Sequence, residues 1–590
     1  MKKSIFALSC LALAVSAESS AELNRIVVSY KSEVGLINAQ MANANISSIQ
    51  DCFAINNQQL CIPKPQKLSV KTQSVNSHTD NLGFIAVDLP LGISADDAIA
   101  ELQKSGLYKA VEKDVSISNG KPLVFSSSSY GVSTQNYPID EPNDVSFFEQ
   151  KFYFSLNAAE RPVGVGILEA WAQLPSESVE PIDVIIMDGG FMTRDDLVYA
   201  SGYNFSKKNA VRGPEFLTPS TDASCSGHGL GVASVVGAKI NNSLNLSGMV
   251  ADVNIHALKT MDCYGGYMSD AADTLLWLAG TTFPDIPAYI GKAGVVNMSL
   301  GAIVDHCPSF MQTAIDAAVA AGFSIVVSAG NENIDVSGAS PANCANVIAV
   351  SALHKDGNKS DFSNYGEKVT IAAPGYDVVG LCGQSTDDIC FWGGTSFSSP
   401  IVAGALAIAR QQAGLKAGTE KLLLAMSVNP IPDSSGECAA LGCGEGLLDV
   451  NTLVNLSKTL NIGSSASVEY TLSNESKCTQ AWLATYAGIA NLCTLLTFKT
   501  SEDTLLSGVT YSLQVRDKIM GGTYYEVKPL SSVSTQIAKD EIAAALASSG
   551  SSAEISQLEF QYEICKGEQC AAIPVNSEKL ADSYKPACVN

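Results

Sequence analysis

The alternation of hydrophobic and polar positions changes character along the chain and divides it into stretches. From Leu23 to about Ser118 it predicts strand, helix, strand, helix, strand. Arg25-Ile-Val-Val-Ser-Tyr30 and Gly83-Phe-Ile-Ala-Val-Asp-Leu89 read as strands, and Ser94-Ala-Asp-Asp-Ala-Ile-Ala-Glu-Leu102 as an N-capped amphipathic helix. Ala110-Val-Glu-Lys-Asp-Val-Ser-Ile117 reads as a closing strand. Together these make a small α+β unit.

Ser118 to Asp144 is polar, with Ser126-Ser-Ser-Ser129 and turn formers around Pro138 and Pro142, the composition of an exposed, cleavable linker. From about Glu141 to Asn455, short β-branched runs alternate with helices: Asp183-Val-Ile-Ile-Met187, Gly294-Val-Val-Asn-Met-Ser299, Ser324-Ile-Val-Val-Ser328 and Val347-Ile-Ala-Val350. Apolar runs of this kind mark a parallel sheet covered by helices on both faces, so the fold class is α/β and chemistry belongs at the strand ends. From about Leu456 to Asn590 the segments become Ser/Thr-rich and alternating, as in Ser467-Val-Glu-Tyr-Thr-Leu472 and Thr510-Tyr-Ser-Leu-Gln-Val515, with one helical piece around Ala538 to Ala547. A β-rich accessory domain is expected there.

The amino terminus adds a setting. Met1-Lys2-Lys3 precedes an apolar run from Ile5 to Val15 and then small residues through Ala17 and Ala21, the pattern of a secretory signal over residues 1–21. The run is too short to span a bilayer, and no later stretch is long and charge-free enough, so an exported product without a membrane anchor is expected. At 590 residues, with 46% hydrophobic and 16% charged, the chain has apolar surface for several folded domains. The formal net charge of −23 argues against a phosphate backbone as partner, so nucleic acid is excluded as the main target. Of the sixteen cysteines, Cys10 lies within the apolar run of the signal, and the other fifteen, in an exported chain, read as bridges. Cys52 and Cys61 stand apart near the start; Cys225, Cys263, Cys307, Cys344, Cys382, Cys390, Cys438 and Cys443 lie in the middle; Cys478, Cys493, Cys565, Cys570 and Cys588 lie at the end, an odd group whose pairing stays open.

Three contexts carry candidate chemistry. Only five histidines exist, and His228 is the distinctive one: in Ser226-Gly-His-Gly-Leu-Gly-Val-Ala-Ser234 a glycine-flanked imidazole opens a helix of small residues that can pack close to a sheet. Asp188 ends the strand Ile182-Asp-Val-Ile-Ile-Met187 and precedes Gly189-Gly190, so its carboxylate emerges at the carboxyl edge of the sheet, where ligands of open α/β folds sit. Ser396 lies in Gly393-Gly-Thr-Ser-Phe-Ser-Ser-Pro-Ile-Val-Ala-Gly404, at the start of an apolar helix and in its positive potential. Taken singly, each has a plainer explanation: a satisfied histidine, an aspartate capping a turn, a serine capping a helix. Their joint occurrence in the order Asp, His, Ser changes the odds.

That order and these surroundings closely resemble the subtilisin-like serine proteases. Asp188-Gly-Gly is similar to their Asp box, Gly227-His-Gly-Leu-Gly-Val-Ala233 to their His box and Gly394-Thr-Ser-Phe-Ser-Ser-Pro-Ile-Val-Ala-Gly404 to their Ser box. Between the boxes, Asn297-Met-Ser-Leu-Gly301 resembles the substrate-binding strand and Ser328-Ala-Gly-Asn-Glu332 the oxyanion segment. Phe362-Ser-Asn-Tyr-Gly366 and Ala373-Pro-Gly375 resemble the segments before the Ser box. The likeness covers roughly Glu141 to Asn455. Gly231 and Ile401 depart from it, standing where many relatives carry a further histidine.

The resemblance implies a secreted serine endopeptidase acting on protein or peptide substrates. Ser396 would be nucleophile, His228 general base and acid, Asp188 the group orienting the imidazole, and Asn331 the side-chain donor to the oxyanion. Ser299, Leu300 and Gly301, with Gly265 and Gly266 of Tyr264-Gly-Gly-Tyr-Met-Ser269, would clamp an extended peptide, and small residues at Ala339-Ser-Pro341 would admit a large apolar side chain before the cut. No cofactor is needed for catalysis. Asp196 and Asn242 match positions that hold calcium in many relatives, though the intervening segment is one residue longer, and a solvated acidic turn is the alternative. The likeness also implies a disulfide between Cys225 and Cys263; Cys382 with Cys390, Cys438 with Cys443, and Cys307 with Cys344 are the accompanying pairs.

Residues 22–120 resemble the subtilase propeptide, an intramolecular inhibitor removed by self-cleavage through a linker at 121–140. The expected mature product is a monomer with a catalytic domain at 141–455 and an accessory domain at 456–590. Two rivals remain: a non-catalytic secreted binding protein on the same scaffold, and an esterase using the same three residues. The hydrolase elbow Gly-x-Ser-x-Gly is absent around Ser396, which counts against the second.

Overall fold

The computed structural model describes residues 25–30, 50–56, 58–63, 84–119, 123–127, 141–156, 162–174, 179–206, 212–218, 227–262, 265–283, 286–383, 389–415, 418–460, 467–472, 494–499, 510–517, 524–530, 534–547, 558–566 and 569–574. Two compact units are present, residues 1–68 with 76–116 and residues 69–75 with 117–590.

In the first unit, Arg25–Tyr30 is the middle of an antiparallel sheet between Phe84–Asp88 and Tyr108–Lys113. The helix Ala95–Lys104 begins as its sequence demands: Ser94 Oγ accepts from the Asp97 N–H and donates to the Asp97 carboxylate. Its apolar face, Ala98 and Leu102, packs on Ile26, Val28 and Val111. The closing strand runs Tyr108–Lys113 and stops short of the predicted Ile117; after it the buried Asp114 carboxylate accepts from the Val115 N–H at 3.0 Å and lies 3.4 Å from Arg25 Nε. Between the first two strands the described residues form a hairpin, Gln50–Ile55 with Gln58–Pro63; the rest of the stretch in which a helix is expected, 31–49 and 64–83, lies outside the described residues. Cys52 and Cys61 face each other across it and are bridged.

The second unit is built on a nine-stranded sheet. Its order is Val428–Asn429, Leu447–Leu448, Ile371–Pro374, Ile348–Leu353, Ser324–Ser328, Val295–Met298, Ile182–Asp188, Val253–Lys259, Tyr199–Asn204. All neighbours are parallel except the antiparallel edge strand Val428–Asn429. The central strands are buried on both faces, which is why their sequences are β-branched runs without alternation. The helix Thr395–Ala413 is buried from Thr395 to Ala409, and its apolar side chains share one core with the sheet and the His228–Gly237 helix. In-register pairing of Met187 with Met298, and of Met298 with Val327, brings three strand ends to one edge. Asp188, Ser299-Leu300-Gly301 and Ala329-Gly330-Asn331 follow from those ends.

The expected bridges Cys307–Cys344, Cys382–Cys390 and Cys438–Cys443 are formed, and Cys565 is also disulfide-bonded. Cys225, Cys263 and the residues of the proposed signal lie outside the described residues. The C-terminal region is β-rich as predicted: Ser467–Leu472, Thr494–Lys499 and Ser534–Ala538 form one antiparallel sheet, and Thr510–Asp517 anchors a second of four strands. Its helix runs from Lys539 to Leu546.

Candidate active site

Asp188 ends a strand whose last six residues are buried, and the backbone N–H of Gly189 donates to its Oδ1 at 2.7 Å. The next contact needs glycine. The Gly229 N–H donates to Gly189 O at 2.7 Å, and a Cβ on Gly229 would stand 2.6 Å from that oxygen. This approach seats the first turn of the His228–Gly237 helix on the end of the Asp188 strand, after Gly227 turns the chain with φ +75°. His228 Nδ1 then lies 2.9 and 3.0 Å from the two Asp188 oxygens, both side chains being buried. A carboxylate only accepts, so Nδ1 carries the proton of the neutral ring and Nε2 the lone pair. Nε2 is buried and has no hydrogen-bond partner. The ring is walled by Trp392 and Phe397, centroids 6.1 and 5.4 Å away.

Ser396 occupies the first turn of the Thr395–Ala413 helix, one residue before Phe397, whose ring walls the imidazole; no hydrogen bond joins Ser396 to His228 Nε2. Pro400 contributes through what it lacks. With no N–H, it leaves the Ser396 carbonyl without its helical partner, and the Ser299 hydroxyl donates to that carbonyl at 2.8 Å. Asn297 joins the same network, its Nδ2 donating to Ser299 Oγ at 2.9 Å while its Oδ1 accepts from Ser399 at 2.6 Å. The helix start is thereby tied to the substrate-side strand. The pattern Ser-x-x-x-Pro in the sequence carried this signal, but the partner Ser299 is 97 residues away and could not be read from it.

Ser396 opens onto a cleft lined also by Ser299, Leu300, Gly301, Asn331 and the small residues Ala329, Gly330, Ala339, Ser340 and Ala342. Asn331 Oδ1 accepts from the Thr395 N–H at 2.8 Å and the Thr395 hydroxyl at 3.0 Å. Both bonds use the oxygen, which leaves the amide nitrogen of Asn331 on the opposite side of a planar group. Glu332 stands at the rim with Oε2 accepting from Asn364 at 2.9 Å, a carboxylate in the cleft that the sequence pattern did not mark as a pocket group. Gly231 has a physical reason for its departure from the family pattern: a Cβ there would stand 3.0 Å from the Trp392 ring and 3.1 Å from Leu381 O.

The chain's own residues lie in this cleft. Ser118 and Gly301 exchange both backbone hydrogen bonds, at 3.0 and 2.9 Å, in an antiparallel bridge. Gly265, in the strand Gly265–Tyr267 with Gly266, approaches from the other side, and a Cβ on it would fall 2.6 Å from the Ile117 carbonyl. Ser118 and Asn119 line the cleft with Ser396. The sites read from sequence as a peptide clamp are therefore the two edges between which a segment of this chain is held.

Asp196 and Asn242 also meet, but as donor and acceptor. Asn242 Nδ2 donates to Asp196 Oδ1 at 2.7 Å, and its Oδ1 accepts from the Leu244 N–H at 2.8 Å, so both faces of the amide oppose a flip. Asp196 Oδ2 accepts from the Leu246 N–H at 3.2 Å. Calcium requires oxygen from every ligand. As placed, this pair presents N–H groups and does not fit the ion expected of it. Burial pushes the Asp196 carboxyl up to about 6, against the hydrogen bond from Asn242.

A parallel sheet with an Asp–His pair, a helix-start serine and an asparagine amide at one carboxyl edge defines a class of α/β hydrolytic domain. Residues 181–438 match the subtilase family, and the chain carries a domain of that family. It is 32% identical over 340 residues to an extracellular protease of Xanthomonas campestris pv. campestris, covering 53% of this chain and 56% of the relative. It is 31% identical over 350 residues to an extracellular basic protease of Dichelobacter nodosus, covering 54% and 56%. The chain thus spans about half the length of the curated relatives it matches. A solved protease from Pseudoalteromonas arctica aligns with 27% identity and a TM-score of 0.48, over 54% of this chain and 99% of that one.

Proposed function

We propose that this chain is the precursor of a secreted serine endopeptidase that cuts peptide bonds through an acyl-enzyme. The observations that carry the reading are the hydrogen-bonded Asp188–His228 pair, its ring walled by Phe397, and Ser396, the residue before Phe397, which opens onto a cleft lined by Ser118 and Asn119 of the chain itself. His228 Nε2, the lone-pair nitrogen, takes the Ser396 proton as the hydroxyl attacks the scissile carbonyl, and Asp188 stabilises the imidazolium. The developing oxyanion is met by the amide of Asn331 and the N–H of Ser396 at the positive end of a 19-residue helix. The proton then passes from His228 to the leaving amine, and water repeats the sequence on the acyl-enzyme. Small residues around Ala339 and Ala342 favour a bulky apolar side chain before the cut. Secretion accords with the extracellular relatives and with the absence, among the described residues, of any helix long and apolar enough to cross a membrane.

The same geometry supports self-cleavage. Ile117 to Asn119 lie along the acyl side of the site, and Leu123 pairs with Gly393, three residues before Ser396. The bond cut in maturation is accordingly one of those joining Asn119 to Leu123, at the start of the 121–140 linker read from the sequence. The residues from 22 to that bond would leave as the inhibitor.

Reaction of the secreted protein with a serine-directed fluorophosphonate, followed by a casein digest, tests the reading. Labelling at Ser396 with proteolysis upholds it. Absence of label leaves a binding protein, and label without proteolysis leaves an esterase. A Ser396→Ala precursor remains full length if cleavage is its own; equal processing of both forms rules that out.

A further inference from the structure

The segment Ala329-Gly330-Asn331-Glu332-Asn333-Ile334 leaves the carboxyl end of the strand Ser324–Ser328 and carries the proposed oxyanion donor in its middle. One buried side chain holds it. Asn364 is fully enclosed, and its amide uses both donors and both acceptor positions on this segment. Nδ2 donates to Ala329 O and to Glu332 Oε2, each at 2.9 Å, while Oδ1 accepts from the N–H groups of Glu332 at 3.1 Å and Ile334 at 3.0 Å. The backbone N–H of Asn364 adds a bond to Gly330 O at 3.0 Å. These bonds bracket Asn331 on both sides. Gly330 is needed for the fit, since its φ is +106° and a Cβ there would overlap the Asn364 amide nitrogen. Asn364 is itself anchored to the sheet: Ser363 Oγ donates to Asn364 O at 3.0 Å and accepts from the Ala352 N–H, in the neighbouring strand Ile348–Leu353, at 2.9 Å.

We propose that Asn364 is a positioning residue for the reaction, fixing the main chain around Asn331 so that the Asn331 amide nitrogen reaches the oxyanion. The inference rests on the endopeptidase reading and adds to it a residue that stands behind the cleft lining. Asn331 then has two anchors. Its oxygen ties the side chain to Thr395, at the start of the nucleophile's helix, and Asn364 fixes the backbone from which that side chain springs. An oxyanion donor acts only close to its productive place, so loosening the second anchor lowers the rate more than it weakens substrate binding. Asparagine suits the task because a carboxylate would set oxygen against Ala329 O and the Glu332 carboxylate, and a shorter side chain cannot reach all four partners.

The test measures kcat and KM for Asn364→Ala and Asn364→Ser on a quenched peptide, each in the wild-type and in the Asn331→Asp background. Every precursor is processed in trans by tagged wild-type enzyme that is then removed, and fluorophosphonate titration counts the competent enzyme. The serine variant keeps a hydroxyl in the site and serves if the alanine variant does not fold. We expect either substitution to lower kcat about 10- to 100-fold, with KM changed less than about threefold. Once Asn331→Asp has removed the donor, the same substitution should lower kcat less than about threefold. A role in stability alone predicts equal factors in both backgrounds. Equal factors, an unchanged kcat, or no titratable enzyme from either variant would overturn the positioning role and leave the endopeptidase reading intact. Absence of turnover by the wild-type protein would sink the endopeptidase reading and the inference with it.

Discussion

Asp188 and His228 meet with one ring nitrogen shared between both carboxylate oxygens, at 2.9 and 3.0 Å, in a setting where neither side chain reaches solvent. A buried carboxylate placed this way selects the tautomer with the proton on Nδ1 and keeps Nε2 available. Asp188→Asn preserves the shape but can turn an N–H toward the ring and favour the other tautomer. Turnover on a peptide substrate should fall by about 10⁴-fold, with KM little changed. A loss below tenfold would exclude Asp188 from the mechanism.

Asn331 has two tasks on opposite sides of one amide. Its oxygen holds the Thr395 N–H and hydroxyl, and its nitrogen is the proposed oxyanion donor. Asn331→Ala removes both, so it should lower kcat by about 10²- to 10³-fold and also cost about 1–3 kcal/mol of stability through the orphaned Thr395 groups. Asn331→Asp keeps the acceptor and loses the donor. It should recover most of the stability, read by urea unfolding, and none of the kcat.

Gly265 is required by close approach as well as by its φ of +108°. In Gly265→Ala the new Cβ meets the Ile117 carbonyl at 2.6 Å. Self-processing should slow and KM for peptides should rise, while fluorophosphonate still labels Ser396. Amino-terminal sequencing of the wild-type product should begin at Gly120, Lys121, Pro122 or Leu123; a start elsewhere would contradict the position of the segment in the cleft.

At the opposite end of the strand that carries Asp188, Asp183 is under a different balance. Burial raises its pKa, but hydrogen bonds from His256, Asn254 and the Lys292 N–H outweigh this and hold it well below the usual carboxylate range. A depressed folded-state pKa contributes stability that is complete above about pH 4 and is lost as pH falls through the folded value. The stability difference between wild type and Asp183→Asn should be constant from pH 5 to 7 and shrink between pH 4 and 2. Urea unfolding across that range measures it. A gap that widens on acidification would reverse the sign.

The Asp196 carboxylate accepts from the Asn242 amide nitrogen. Exhaustive chelation should leave the resistance of the Asp196 loop to proteolysis unchanged, whereas Asn242→Ala, which strips the buried carboxylate of a donor, should lower Tm by several degrees. A large chelator effect abolished by Asn242→Ala would show that the amide turns its oxygen to an ion.

The sequence by itself determined whatever depends on near neighbours. β-branched runs declared the parallel strands, Ser94 and Asp97 declared a helix start, and the glycines around Asp188 and His228 marked two close approaches, because steric limits and capping act within a few residues. Short bridges such as Cys382–Cys390 follow equally from local spacing. Only the tertiary structure decided what depends on partners distant along the chain: that Ser299, held by Asn297, takes up the carbonyl Pro400 leaves free, that the Asn242 amide faces Asp196 with nitrogen, and that Arg25 lies against the buried Asp114. The same holds for the segment around Ser118 and Leu123, which looks like a plain polar linker in sequence. Strand addition is made by backbone groups that every residue carries, so its register is set by the edges that receive it and leaves no mark in side-chain pattern.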